Sequence, residues 1–399
     1  MSLNKCAASR KSNTPRERCA MLDRIFTKLC VQILVTVFLT LLAIGFLITP
    51  SNAQESAAPA TPHTELAGAG SMYPDILFNE TMRLFETSNP DVSLTYNPVG
   101  SGAGVVALQS GEVDFAVSSA PLEAILQQGA EEAAIEDDPA NIEDETEVTD
   151  DNLLEIPITA GMLGILYNLD GIDELNLTRN ALSGIFDGSI QYWNHREIEM
   201  ANPDLELPKL EITVIGRSDA SGANLALSTH LYTAENAWSG DTASIWPLEN
   251  FPRSAVLVPG SFDLVAGLME TNGAIGYAPS AFGTALGIPM ALLENQQGNF
   301  VAPTALSGEA AIEDVSRSSD PASLEKIHDP DSPTAYPIMS FFWLVTEEVY
   351  PDAQTGTAMR QFAEFILSAE VSEAATSSGY IPLPSNMRAD ARKLAETIH

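Results

Sequence analysis

The sequence predicts an α/β fold in which helices cover a largely parallel sheet. Two observations carry that expectation. From residue 64 onward, strand-like and helix-like segments alternate in a β-α-β-α-β order. Three glycine- and serine-rich turns, far apart in the chain, each join an extended segment to a helix start.

A short apolar strand leads into the first turn, Gly68-Ala69-Gly70-Ser71-Met72-Tyr73, and the helix beyond carries Ile76, Leu77, Met82, Leu84 and Phe85. Val92, Leu94 and Tyr96 alternate as a strand into the second turn, Gly100-Ser101-Gly102-Ala103-Gly104, and a short helix to Gln109. Asp114 to Val117 reads as the next strand, ending at Ser118-Ser119-Ala120-Pro121. Ile156 to Asn168 is an apolar, glycine-broken stretch that reads as buried strand, and Leu210 to Ile215 alternates into the third turn, Arg217-Ser218-Asp219-Ala220-Ser221-Gly222-Ala223. Gly273 to Tyr277 and Phe341 to Val345 read as short buried strands, and Thr355 to Ala369 as a helix carrying Met359, Phe362, Phe365 and Ile366.

The 399 residues suffice for about two domains. The N-terminus stands apart from them. Lys5, Arg10, Lys11, Arg16, Arg18, Arg24 and Lys28 precede an apolar run from Leu29 to Ile48, and Ser51-Asn52-Ala53 offers a small-residue cleavage site. Residues 1–53 therefore read as a secretory signal, with an uncleaved anchor through 29–48 as the alternative. Residues 54–63 read as a flexible tether rich in Ala, Pro, Ser and Thr. All three cysteines (Cys6, Cys19, Cys30) lie in the leader, so no disulfide staples the exported part.

Charge excludes a further class. Residues 54–399 hold 12 basic and 52 acidic residues, a net of −40, which leaves no basic patch for nucleic acid. Residues 131–155 hold twelve acids and no base and read as a solvated insertion loop. They lack the D-x-D-x-D-G spacing of a calcium loop.

The turns carry the chemistry. The first N–H groups of a helix have no intrahelical partner and sit at the positive end of its dipole. Glycine lets an anion approach that backbone closely, and serine adds a hydroxyl donor. Arg217 closes a strand directly before a helix start, where its planar fork of donors suits an oxyanion and Asp219 can orient it. The second turn imitates part of a dinucleotide fingerprint, but the full G-x-G-x-x-G is missing. The five histidines (His63, His195, His230, His328, His399) are scattered without metal-ligand spacing. Neither Ser119 nor Ser221 lies in a G-x-S-x-G elbow or beside a base. The residues thus point to oxyanion binding with no cofactor, metal or catalytic group.

Taken in order, the three turns resemble those of the substrate-binding protein of bacterial phosphate ABC transporters. Gly161 to Gly171, Gly184 to Trp193, Asn202 to Pro208, Gly273 to Tyr277 and Tyr336 to Ser340 extend the resemblance from about Leu66 to Leu383. It implies a two-lobed periplasmic-binding-protein fold of type II, with one lobe of 64–160 plus 340–399, the other of 161–339, and a hinge of two crossing segments. It implies ligand contacts from Ser101, Arg217, Ser221 and Gly222, and from the backbone N–H of Tyr73. Met72 and Ala223 stand where the family has threonines and keep only their N–H groups; Ser71 can replace the first lost hydroxyl. Ser119 stands where the family has an aspartate that accepts the proton of protonated phosphate, so its serine weakens the rejection of sulfate.

The function so implied is extracytoplasmic capture of inorganic phosphate by a monomer that delivers it to a membrane permease. The alternatives are binding of another oxyanion or phosphorylated small molecule, an exported serine-dependent phosphate-ester hydrolase, and a sensory protein that has lost transport.

Overall fold

A computed structural model describes residues 63–72, 75–127, 152–234, 244–245, 251–317 and 327–399. The expected leader and anchor, the tether apart from His63, residues 131–151 of the acidic insertion and Tyr73 lie outside them. The chain begins as alternation demands: β1 (Thr64–Gly70), α1 (Asp75–Ser88), β2 (Val92–Asn97), α2 (Ser101–Gln109) and β3 (Phe115–Ser118). β1 lies between β2 and β3, parallel to both. Phe78 and Phe85 from α1 and Phe115 from β3 meet Phe362 at ring-centroid distances of 5.1–5.9 Å, so aromatic burial fixes this half.

β4 (Leu153–Asn168) joins the two halves. The acidic insertion was expected to run to Glu155, but the strand already starts at Leu153. Leu153, Leu154 and Glu155 pair with the end of the last strand, and the Glu155 carboxylate accepts the N–H of Leu122 at 2.8 Å. Ladder bonds and a half-buried acceptor thus outweigh local charge in setting that boundary.

Beyond β4 come β5 (Asn176–Leu177), α3 (Arg179–Phe186), α4 (Arg196–Ala201), β6 (Thr213–Arg217), α5 (Gly222–Ala234), β7 (Val256–Val258), α6 (Gly260–Glu270), β8 (Ala274–Pro279) and α7 (Ser280–Leu286). Leu210 and Glu211 do not begin β6; they pair instead with the Tyr192-Trp193 loop. β9 (Leu292–Glu294), β10 (Phe300–Val301) and β5 form a small sheet, followed by α8 (Ala305–Ser316) and β11 (Met339–Glu347). The helix expected from Thr355 to Ala369 stops at Ile366. α9 (Ala353–Ile366) is capped by Asp352, and Ser368 accepts the Val371 N–H to start α10 (Ala369–Ser377). α11 (Ser385–Ala395) closes the chain.

The main sheet runs β2-β1-β3-β11-β4-β8-β6-β7. Up to Met162, β4 pairs with β11; from Leu163 to Asn168 it pairs with β8. One strand therefore serves both halves and changes partner at Met162/Leu163. Its sequence is apolar on both faces because both are covered, and Gly161 and Gly164 leave room for Phe342 and Met290.

The segment that feeds β11 is docked by polar contacts. Asp329 forms a two-bond pair with Arg179 at 2.8 and 3.0 Å, and the His328 carbonyl lies 3.0 Å from His230 Nδ1 on α5. His328 shows an edge to the surface, but its Nδ1 is enclosed and, among the described residues, unpartnered. Burial, and to a lesser degree His230, hold its imidazole down at about 4, against an ordinary value of 6.5. As pH falls the unfolded chain takes this proton first, so stability is lost between about 6.5 and 4. We expect the melting temperature to decline over that window and His328→Gln, which cannot charge, to flatten the decline. Parallel melting profiles for the two proteins would contradict the assignment.

Candidate anion-binding site

The first two turns are locked together by close backbone approach. Gly70 has φ +137, and a Cβ there would meet the Val117 carbonyl oxygen at 2.1 Å. Gly104 on α2 lies over it, its own absent Cβ 2.3 Å from Gly70 Cα. The Gly100 N–H donates to the Gly70 carbonyl at 2.8 Å, and the Ser71 N–H donates to that of Val117 at 2.7 Å. Here glycine is a requirement of contact rather than of flexibility.

That packing brings three buried hydroxyls into a chain. Ser71 Oγ donates to Ser119 Oγ at 3.0 Å, and Ser119 Oγ lies 3.1 Å from Ser101 Oγ. Ser101 Oγ also accepts the Ser119 N–H at 3.1 Å. Each serine is at most 3% exposed. Tyr96 donates to the Ser71 carbonyl at 2.9 Å, and Ser340 on β11 donates to that of Ser119 at 3.0 Å.

The third turn meets this chain from the other half of the molecule. A Cβ added at Gly222, the first residue of α5, would stand 2.2 Å from both the carbonyl oxygen and Oγ of Ser119. Gly102 faces Ala220, and Gly100 faces the Ala220 carbonyl. Ser221 caps α5, its Oγ accepting the Ala223 N–H at 3.0 Å, so that donor is engaged within the turn itself. The structure therefore gathers Ser71, Ser101, Ser119, Ser221, Gly222 and Ala223 around one junction, with Met72 beside it against Gly260.

Arg217, 3% exposed, ends β6 next to that junction. Its Nε donates to Asp219 Oδ1 at 2.6 Å, its Nη2 donates to Asp219 Oδ2, and its Nη1 donates to Ser261 Oγ at 2.9 Å. A guanidinium carries five N–H bonds. Among the described residues two of Arg217's remain unengaged, one on each Nη. Burial works against the charge of Asp219, but the bonds and charge of Arg217 and the N–H of Gly260 hold its carboxyl below the ordinary value. The backbone is held as firmly. Tyr277 accepts the Arg217 N–H at 3.0 Å and donates to Asn224 at 2.6 Å, while the Asn224 amide binds the carbonyls of Asp219 and Ile245.

The sequence reading missed Gly260, Ser261, Tyr277 and Asn224. Pro259-Gly260-Ser261 at the start of α6 is a fourth turn of the same glycine–serine kind, so its signal was available. Tyr277 and Asn224 join the site only through tertiary packing. Among the described residues no group of three or more His, Cys, Asp or Glu side chains could hold a metal ion.

A sheet whose halves share one crossing strand, with helix starts converging between them, defines a two-lobed solute-binding fold. The sequence matches the PBP superfamily domain over residues 55–370. It is 30% identical over 380 residues to phosphate-binding protein PstS 2 of Mycobacterium tuberculosis, covering 90% of this chain and 96% of that one. It is 27% identical over 357 residues to phosphate-binding protein PstS of Methanocaldococcus jannaschii, covering 85% and 86%. A periplasmic phosphate-binding protein of the DING type, solved with phosphate bound, superposes with a TM-score of 0.65 at 22% identity, over 84% of this chain and 93% of that one. The chain belongs to the PBP superfamily and, within it, to the phosphate-binding protein family.

Gly222→Ala tests the junction. Its methyl would strike the Ser119 backbone, which cannot swing aside, so the two sides must part; such overpacking typically costs about 1–3 kcal/mol. We expect a larger radius of gyration by small-angle scattering. Equal radii for the variant and the parent would show that the two turns are not held in contact.

Proposed function

We propose that the protein captures inorganic phosphate outside the cytoplasm and hands it to the permease of an ABC importer. One observation carries the reading: three helix-starting turns from both halves of the sheet converge beside a buried arginine that, among the described residues, has unengaged donors. Membership of the phosphate-binding protein family supports it. So does the name of each relative described above, which gives phosphate as what that protein binds.

In this reading Ser71, Ser101, Ser119, Ser221 and the N–H groups of Met72, Tyr73 and Gly222 surround the anion, while the Ala223 N–H holds the Ser221 hydroxyl in place. Arg217 supplies its charge partner, and Asp219 orients Arg217. The lobes comprise 64–160 plus 340–399 and 161–339, with the hinge where β4 and β11 cross. The partner change at Met162/Leu163 supports that boundary. The leader exports the chain, and the protein acts as a monomer without cofactor.

Binding without turnover fits the surroundings of the serines. His230 is buried, further along α5 from Ser221, with its Nδ1 against the His328 carbonyl. It offers Ser221 no base. Burial, opposed in part by Asp329, lowers its affinity for a proton.

A wider ligand range has its own observation. The hydroxyls of Ser71, Ser101 and Ser119 can each donate or accept, and the carboxylate at these turns, Asp219, is engaged by Arg217 and Gly260. Nothing in that chain repels a fully deprotonated anion, so sulfate and phosphate should be separated less sharply than a carboxylate acceptor would separate them.

Calorimetric titration with both anions, alongside turnover of a chromogenic phosphate ester, decides among these readings. We expect one phosphate per chain, measurable sulfate binding and no turnover. Arg217→Lys should weaken phosphate binding by about ten- to a hundredfold, because it loses the two-pronged fork. Absence of heat with either anion would sink the proposal. Tight phosphate binding with undetectable sulfate binding would remove the wider range.

A further inference from the structure

The contacts of Arg217 reach beyond the turn that carries it, to the start of α6. Ser261, 1% exposed, accepts Nη1–H at 2.9 Å, and the Gly260 N–H donates to Asp219 Oδ1 at 3.0 Å. The first two residues of α6 thus hold one member each of the Arg217–Asp219 pair. Gly260 has φ +76, and Met72 from the first turn lies over it, with Sδ 3.0 Å from where a Cβ would be.

The geometry follows from the shape of the two groups. Asp219 grips the guanidinium along one edge, through Nε and Nη2. A grip along one edge leaves the plane able to rock about that edge. Ser261 takes a hydrogen on Nη1, the corner that Asp219 does not reach, and stops that motion. What remains on Nη1 and Nη2 is then one donor each, held in a fixed direction. Gly260 completes the arrangement from the acid's side: its N–H directs Oδ1, so the carboxylate cannot turn and take the arginine with it. Met72 shields this arrangement, and hydrogen bonds to a charge are stronger where water is scarce.

We infer that Ser261, acting with the Gly260 N–H, is a positioning residue that fixes the Arg217 fork for the bound oxyanion. This rests on the phosphate-capture reading for its effect on affinity, but not for its effect on the arginine. Its hydroxyl is a holder of the arginine; no direct contact of Ser261 with the anion is required.

The test compares Ser261→Ala and Ser261→Thr with the unsubstituted protein. Calorimetry with inorganic phosphate should show the alanine variant binding severalfold more weakly, because an arginine fork that is no longer held must be ordered on binding. The threonine variant, which keeps the hydroxyl, should recover most of that loss. Nitrogen-detected NMR of the unliganded protein gives the readout that a purely structural role would not move. Interchange of the two Arg217 Nη resonances requires rotation about Nε–Cζ, which breaks the Ser261 bond as well as an Asp219 bond, so it should be slow in the parent and in Ser261→Thr and measurably faster in Ser261→Ala. Weaker binding with unchanged arginine resonances would overturn the proposal, as would unchanged binding. If the parent protein bound no phosphate, the capture reading would fall, while the NMR comparison would still decide whether Ser261 holds the arginine.

Discussion

The pair of buried Arg217 and half-buried Asp219 is the fixed point of this molecule. A guanidinium at 3% exposure has left almost all of its water, and helix starts nearby present partial positive charge to it. Asp219 cancels that charge through two bonds and in turn accepts the N–H of Gly260. The pair is neutral as a unit. The dipoles of α2, α5 and α6 remain, together with two arginine N–H bonds unengaged among the described residues, so the junction as a whole keeps a surplus of donors. An oxyanion is the kind of guest that meets such a surplus, because it brings only acceptors and charge of the missing sign. The Ser71–Ser119–Ser101 chain answers the complementary problem. Hydroxyls that satisfy one another leave no buried polar atom stranded, and each can rotate to donate outward.

The sheet explains how such a junction can form and part. β1, β3 and the starts of α1 and α2 belong to one half of the fold, and β6, α5 and α6 to the other; among the described strands only β4 ties the two through ladder bonds, with β11 up to Met162 and with β8 from Leu163. Contacts such as Gly222 on Ser119 and Met72 on Gly260 are made across that division by residues without bulk or with a pliant thioether. The approach distances make glycine obligatory at Gly222 for a reason separate from helix geometry: the facing atoms are Ser119's backbone and its short side chain. Closure around a ligand about a hinge of two strands needs surfaces that meet tightly and release without unfolding. Small residues facing backbone supply such a surface.

Much of this was legible because it is local. Strand alternation in Val92 to Tyr96, the apolar run from Ile156, and glycine–serine punctuation before α2 and α5 all come from neighbours in sequence, and each element formed where its pattern lay. The family resemblance rested on the same landmarks. What failed was set by partners distant in the chain. Leu153 to Glu155 became strand because β11 offered a ladder, and Leu210 and Glu211 were taken by the Tyr192-Trp193 loop before β6 could begin. The helix expected to reach Ala369 stops at Ile366, because Ser368 caps the next one, α10. The site shows the same division. Ser101 and Arg217 could be read from their turns. Tyr277 and Asn224, which hold the Arg217 backbone, lie 60 and 7 residues from it and meet there only in three dimensions. Gly260-Ser261 is the intermediate case: its chemistry was readable, its destination was not.

An anion site in a chain of net charge −35 looks like a contradiction, and distance resolves it. Among the described residues most of the acids lie on the exposed surface, where salt screens interactions beyond about 10 Å at 0.1 M. Several of the bases are spent on acids there too, as in Arg83 with Glu80 and Lys393 with Asp390. Exposed pairs of that kind contribute little, and none of them reaches the junction. The donors that matter there are N–H groups, hydroxyls and one arginine, each within a few ångströms of its partner and shielded from solvent. Coulomb interaction grows as distance and dielectric shrink, so a few fixed dipoles at contact outweigh many screened charges further off. Net charge then governs how the protein meets other polymers and lipid, while the junction alone governs what it holds. The two properties can be set independently, and in this chain they have opposite signs.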